Sequence, residues 1–155
     1  MFETNSNYLL HKNATELVIQ NLPGAVDMDS VVGYYAPYDV EWKDIKFIVK
    51  VAKPSKKKSQ NRAKWFYTPN KTDHQITDYF ILFAILGSKA EAIYVVPKVF
   101  VPKTIITISR LNGNMRYNYF RTDLDNLAKK VLETQKKLPK LIRIYNKARI
   151  LRGDI

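Results

Sequence analysis

The chain has 155 residues, 18.1 kDa, no cysteine and two histidines, with 26 Lys+Arg against 14 Asp+Glu for a net charge of +12. That composition excludes disulfide scaffolds, thiolate zinc sites, iron–sulfur clusters, cysteine nucleophiles and His-rich metal centres. It points to an anionic partner, nucleic acid before an anionic membrane surface.

The apolar share of 46% is enough for one buried core. The longest apolar run, Tyr79 to Leu86, falls far short of the ~20 residues that span a bilayer. Glu3 and the lack of a basic residue before Lys12 do not read as a signal peptide. The expectation is an intracellular, cytoplasmic protein without a membrane partner.

Charge is segregated. Residues 1–52 hold 4 basic and 7 acidic residues, residues 53–71 hold 7 basic and none acidic, and residues 121–155 hold 10 basic and 4 acidic. The basic blocks suit phosphate contact, although a charge run alone is as often a solvated face. Carboxylates of the acidic third could hold a metal ion, whose charge would offset theirs.

In chain order, Asn13 to Leu22 carries a helical stripe of Leu17, Val18 and Leu22, with Glu16 inside it and Pro23-Gly24 stopping it. Tyr38 to Trp42 alternates Val40 and Trp42 against Asp39 and Glu41, a strand pattern. Lys43-Asp44 is a tight turn. Ile45 to Ala52 is a second strand, with Phe47, Val49 and Val51 on one face and Ile48, Lys50 and Ala52 on the other, so the pair predicts a hairpin. Lys53 to Ala63, with Pro54 and three consecutive lysines, predicts a basic loop. Lys64 to Thr68 predicts a third strand, ended by Pro69-Asn70; Trp65, Phe66 and Tyr67 within it could stack bases, but two of three consecutive aromatics in a strand are usually core.

Asp78 to Leu86 predicts a strand buried on both faces, opened by Asp78 as a cap or turn residue. His74 falls in a polar connection, on the surface. Ala92 to Val96 and Thr104 to Arg110 predict two further strands. Thr122 to Leu138 predicts a helix, opened by Thr122 and Asp125 at capping-box spacing. Pro139 is expected to interrupt it, and Lys140 to Leu151 to form another helix. This order describes an α/β domain in which helices flank a mixed central β-sheet. The core is expected over residues 1–121, with a basic helical extension, residues 122–155, packed on the same domain.

Metal-assisted phosphodiester hydrolysis needs hard oxygen ligands and a cation near the attacking water or the phosphate. Asp39 and Lys50 can share one face of the hairpin. Lys50 sits inside the apolar run Phe47-Ile48-Val49-Lys50-Val51-Ala52. A lysine there needs a partner or a role, unless it guards an edge strand.

Several motifs follow one another along residues 13–111. They are a helix presenting Glu16, the turn Pro37-Tyr38-Asp39, the strand Ile48-Val49-Lys50-Val51-Ala52, the aromatic strand Lys64-Trp65-Phe66-Tyr67, then Asp78-Tyr79-Phe80 and Tyr94-Val95-Val96-Pro97-Lys98. In this order they resemble the PD-(D/E)XK nuclease superfamily, in particular its small intron-associated endonucleases and Holliday-junction-resolvase-like proteins.

The resemblance implies a restriction-endonuclease-like core that hydrolyses DNA with Mg²⁺ or Mn²⁺. Glu16 and Asp39 would hold the ion, and Lys50 would orient water or stabilise the phosphorane. Lys53, Lys56, Lys57, Lys58, Arg62 and Lys64 are the expected contacts to duplex or branched DNA. Cutting both strands implies a homodimer. One departure stands out: the acid two residues before Lys50 is replaced by Ile48, which cannot bind a metal. Glu41, on the same strand face as Asp39, could supply the missing carboxylate. Alternatively, the fold keeps DNA binding without chemistry, or the helix Leu124 to Leu138 serves protein interaction.

Overall fold

The computed structural model describes residues 2, 6–33, 36–55, 63–110, 116–151 and 153. Helix α1 (Asn7–Gln20) starts well before the expected Asn13, because Ser6 caps it: the Leu9 N–H donates to Ser6 Oγ at 3.3 Å. His11 is therefore a helix residue. Leu10, Ala14 and Val18 form the buried stripe of α1. A short strand β1 (Val26–Asp27) and a one-turn helix α2 (Met28–Val32), capped by Asp27, follow where no element was expected.

The hairpin is observed as β2 (Val40–Trp42) and β3 (Ile45–Ala52), joined at Lys43 and Asp44 with φ of 52° and 64°. Two successive left-handed residues make the type I′ geometry that matches the twist of paired strands. Its faces sort as the alternation predicts: Val40, Trp42, Phe47 and Val49 enter one core, and Ile48 enters the other.

Next come β4 (Lys64–Tyr67), α3 (Lys71–Ile76), β5 (Tyr79–Leu86), β6 (Lys89–Pro97), β7 (Ile106–Ser109), β8 (Arg121–Thr122) and α4 (Leu127–Leu151). The central sheet runs β1-β2-β3-β5-β6-β8. Only β3 and β5 pair in parallel, with Lys50 opposite Leu82; the other neighbours are antiparallel. The chain between β3 and β5, which includes β4 and α3, makes the crossover that a parallel pair requires. The expected mixed α/β sheet flanked by helices is observed.

Strands β4 and β7 do not join that sheet but form a separate antiparallel pair. Trp65 and Tyr67 are buried, and their polar tips donate to the Ile85 and Phe83 carbonyls at 2.8 Å. Phe66 points outward and is exposed. This small sheet covers one face of the large one. Trp65, Tyr67, Ile106 and Ile108 pack with Phe80, Leu82, Tyr94 and Val96. The opposite face packs on α1 and the start of α4, through Val18, Phe47, Ile81, Phe83, Leu127 and Val131. Because β5 lies between the two cores, all of its residues but Leu86 are buried. A large apolar side chain buried in this way stabilises the fold by ~1.5–3 kcal/mol.

The C-terminal region differs from the expectation in two ways. Thr122 lies in β8 and opens no helix; instead Asp123 Oδ1 accepts from the Asn126 N–H just before α4. Pro139 does not break the helix, which runs unbroken to Leu151. Proline removes the hydrogen bond to the residue 135 carbonyl. Gln135 and Pro139 are both exposed, so water can satisfy that carbonyl. Packing holds either side: Leu127 and Val131 sit in one core, while Leu138, Leu141, Ile142 and Tyr145 pack against the other. Among the described residues, no helix is long and apolar enough to cross a membrane.

Candidate active site

Where α1 meets the hairpin, a cleft of about 350 Å³ opens, lined among others by His11, Tyr38, Asp39, Ile48, Lys50 and Asp73. The expected pair, Asp39 and Lys50, thus faces one space. Backbone bonds fix Asp39: its N–H donates to the Phe47 carbonyl and its carbonyl accepts from the Met28 N–H, each at 2.9 Å. Its Oδ2 also accepts from the Val49 N–H at 2.8 Å. This carboxylate therefore has one defined direction at the mouth of the hairpin.

His11 Nε2 lies 3.2 Å from the same Asp39 oxygen. That hydrogen bond raises the imidazole pKa above its ordinary value; burial opposes the rise, and the charges of Asp39 and Asp29 add to it while Lys50 subtracts. Asp29, on α2, completes a group. One ligand atom each from His11, Asp29 and Asp39 lies within 4.8 Å of the others. Burial, followed by the neighbouring Asp39 and Asp27 charges, pushes the Asp29 carboxyl up, and His11 offsets part of this.

Lys50 has a partner the sequence did not reveal. Its Nζ meets Asp73 Oδ2 at 2.9 Å, with both side chains largely buried. Asp73 is in turn held by the first turn of α3: its N–H donates to Asn70 Oδ1, and the Asn70 N–H donates back to Asp73 Oδ2. This reciprocal capping box orients the carboxylate that orients the lysine.

The remaining expected residues lie elsewhere. Glu16 is in α1 as expected, but it is exposed and absent from the cleft lining. At 100° per residue it stands about 140° around the helix from His11. Glu41 shares the strand face of Asp39, yet it accepts a hydrogen bond from the Tyr38 hydroxyl and does not line the cleft. Ile48 does line it and is 6% exposed, so no carboxylate occupies that place.

Lys53 and Lys64 are exposed at the end of β3 and the start of β4. Lys56, Lys57, Lys58 and Arg62 fall outside the described residues. Asp78 is a turn residue, accepting from the Lys46 N–H at 2.9 Å. The His74 ring is half-buried, set against Phe80 and within 2.9 Å of the Val101 carbonyl.

His11 and Asp73, which line the cleft, and Asp29, which stands beside Asp39, escape a pattern reading. The Asn70-x-x-Asp73 spacing is a sequence signal for a helix start. Ser6 before Asn7 is a weaker one. No local signal brings Asp29 to Asp39.

No protein-family model matches this sequence, and no curated protein matches it. Among solved structures, the fold is similar to that of a bacterial homing endonuclease, I-Ssp6803I, with a TM-score of 0.54 at 15% identity. The likeness covers 86% of this chain and 99% of that one. The arrangement of sheet and helices is therefore one that an endonuclease also uses.

Proposed function

We propose that the chain is a metal-dependent DNA endonuclease of the PD-(D/E)XK type. The observation that carries this reading is the convergence of Asp39 and Lys50, from the two strands of one hairpin, on a single cleft. The fold shared with a homing endonuclease and the net charge of +12 support it.

Asp39 is the residue to hold a divalent ion, since its position is set by three backbone bonds. Glu16 and Glu41 would have to reach the cleft from outside its lining. A bound divalent ion supplies Lewis-acid polarisation of the phosphate and a more acidic water. Lys50, paired with Asp73, donates to a phosphate oxygen, where it stabilises the charge that develops there. Asp73 is a positioning residue: it fixes the ammonium at the cleft wall. The lysines at 53, 56, 57, 58 and 64 and Arg62 supply the backbone contacts that hold duplex or branched DNA over the cleft.

Supercoiled plasmid incubated with the protein and Mg²⁺ or Mn²⁺ should be nicked or linearised. EDTA should prevent this, and so should Asp39→Asn. Undiminished cleavage by that variant would refute the assignment.

The buried aliphatic Ile48 favours a second reading, a nuclease fold that binds nucleic acid without cutting it. That reading expects a retarded DNA band that salt dissolves, with no cleavage in either metal.

A further inference from the structure

We infer that His11, Asp29 and Asp39 form a binding site for a divalent transition-metal ion, selective for Mn²⁺, Co²⁺ or Zn²⁺ over Mg²⁺. The inference deepens the endonuclease reading and rests on it only for the use of the ion.

The three donors come from separate elements: α1, α2 and the segment entering β2. Their ligand atoms lie within 4.8 Å of one another, and the closest pair, His11 Nε2 and Asp39 Oδ2, is 3.2 Å apart. Adjacent ligands on an ion with bonds of ~2.1 Å stand ~3 Å apart, so His11 and Asp39 already have the required separation. Asp29 is exposed on the short helix α2, at the open side of the group.

Electrostatics agrees with this placement. In a chain of net charge +12, the carboxylates of Asp29 and Asp39 stand within 4.8 Å of one another and repel. A bound cation relieves that repulsion.

The neighbouring positions explain why the ligands come from here. Ile48 offers no oxygen, and Asp73 is committed to Lys50 and the α3 cap. Among the described residues, the ligand atoms grouped with Asp39 are then His11 Nε2 and a carboxylate oxygen of Asp29. Mg²⁺ favours an all-oxygen octahedron and gives up its waters reluctantly, whereas an imidazole suits the first-row transition ions.

The chain has only two histidines, which makes the test direct. Full-length protein stripped with EDTA is titrated calorimetrically with Zn²⁺, Co²⁺, Mn²⁺ and Mg²⁺, and the imidazole nitrogens are followed by NMR with Zn²⁺. One ion should bind per chain, with Zn²⁺ and Co²⁺ at least tenfold tighter than Mg²⁺. The His11 signals should shift while those of His74, held by Val101, stay in place. His11→Ala and, separately, the surface change Asp29→Asn should each weaken binding at least tenfold, with circular dichroism confirming that both variants fold.

Equal affinity for Mg²⁺, or unchanged Zn²⁺ binding by both variants, would overturn the inference. Zn²⁺ binding that shifts His11, in a protein that cuts no DNA with any metal, would support the site and reject the endonuclease reading. Mn²⁺-driven cleavage at an undiminished rate in His11→Ala would support the endonuclease and reject the site.

Discussion

Asp73 acts at the cleft through a second side chain, Lys50. Asp73 accepts from both Lys50 and the Asn70 N–H, so Asp73→Ala removes a helix cap and the lysine's partner together. Caps and charge-assisted bonds of this kind are each worth about 1–2 kcal/mol. Because Lys50 is 24% exposed, water offsets part of that loss. Urea unfolding of the variant should show a net loss of about 1–2 kcal/mol.

Ile48 lines the cleft beside Asp39, yet it packs with Phe80 and Trp65 in the second core. Ile48→Glu should therefore have two opposite effects. Burying a carboxyl in an apolar wall should destabilise the fold by about 2–4 kcal/mol. The same carboxylate lines the cleft and should tighten Mg²⁺ binding, read by calorimetry. A variant that loses stability without gaining Mg²⁺ affinity would show that position 48 does not face the ion.

Among the elements, α4 shows most plainly how packing overrides propensity. A proline in a helix interior costs ~3 kcal/mol, yet α4 passes Pro139 without ending. The apolar contacts on both sides outweigh the lost bond, and the unpaired carbonyl faces solvent. Pro139→Ala should restore the bond and raise stability by about 1–3 kcal/mol, seen as a higher midpoint in urea with an unchanged slope. The Lys43-Asp44 turn shows the same balance. Asp44 tolerates a left-handed backbone and Lys43 does not favour it, but the register of β2 on β3, with Val40 opposite Phe47, requires it at both.

At the scale of the whole molecule, the sheet divides the protein into two cores and leaves the hairpin of Asp39 and Lys50 between α1 and the β3–β5 crossover. The basic segment from Lys53 to Lys64 departs directly from the strand that carries Lys50. If that segment tracks a phosphate backbone, replacing Lys56, Lys57 and Lys58 by alanine should weaken DNA binding for every sequence alike. The slope of log affinity against log salt should fall by up to ~3, since each phosphate contact contributes ~0.9. A gel-shift series at several salt concentrations measures it. An unchanged slope would place the DNA elsewhere.

The hairpin was legible in the sequence because its signals are local. Alternation at period two sorts Asp39 and Lys50 from Val40 and Val49 without knowledge of any other part of the chain. The doubly buried β5 declares itself by an unbroken apolar run, and β4 by its three consecutive aromatics, although which rings turn inward was decided by packing. Charge segregation is likewise a property of the chain alone.

The rest depended on contacts between residues far apart in sequence. Nothing near Lys50 names Asp73, which the crossover and the α3 cap bring to it. Nothing near Asp39 names His11, since polar residues in the first turns of α1 conceal a helix that Ser6 starts. The pairing of β4 with β7, apart from the main sheet, and the passage of α4 through Pro139 were decided by which apolar faces remained to be covered. The backbone pattern thus fixed where one acid and one base of the cleft would stand. Tertiary packing chose their partners, because those partners meet only once both cores have closed.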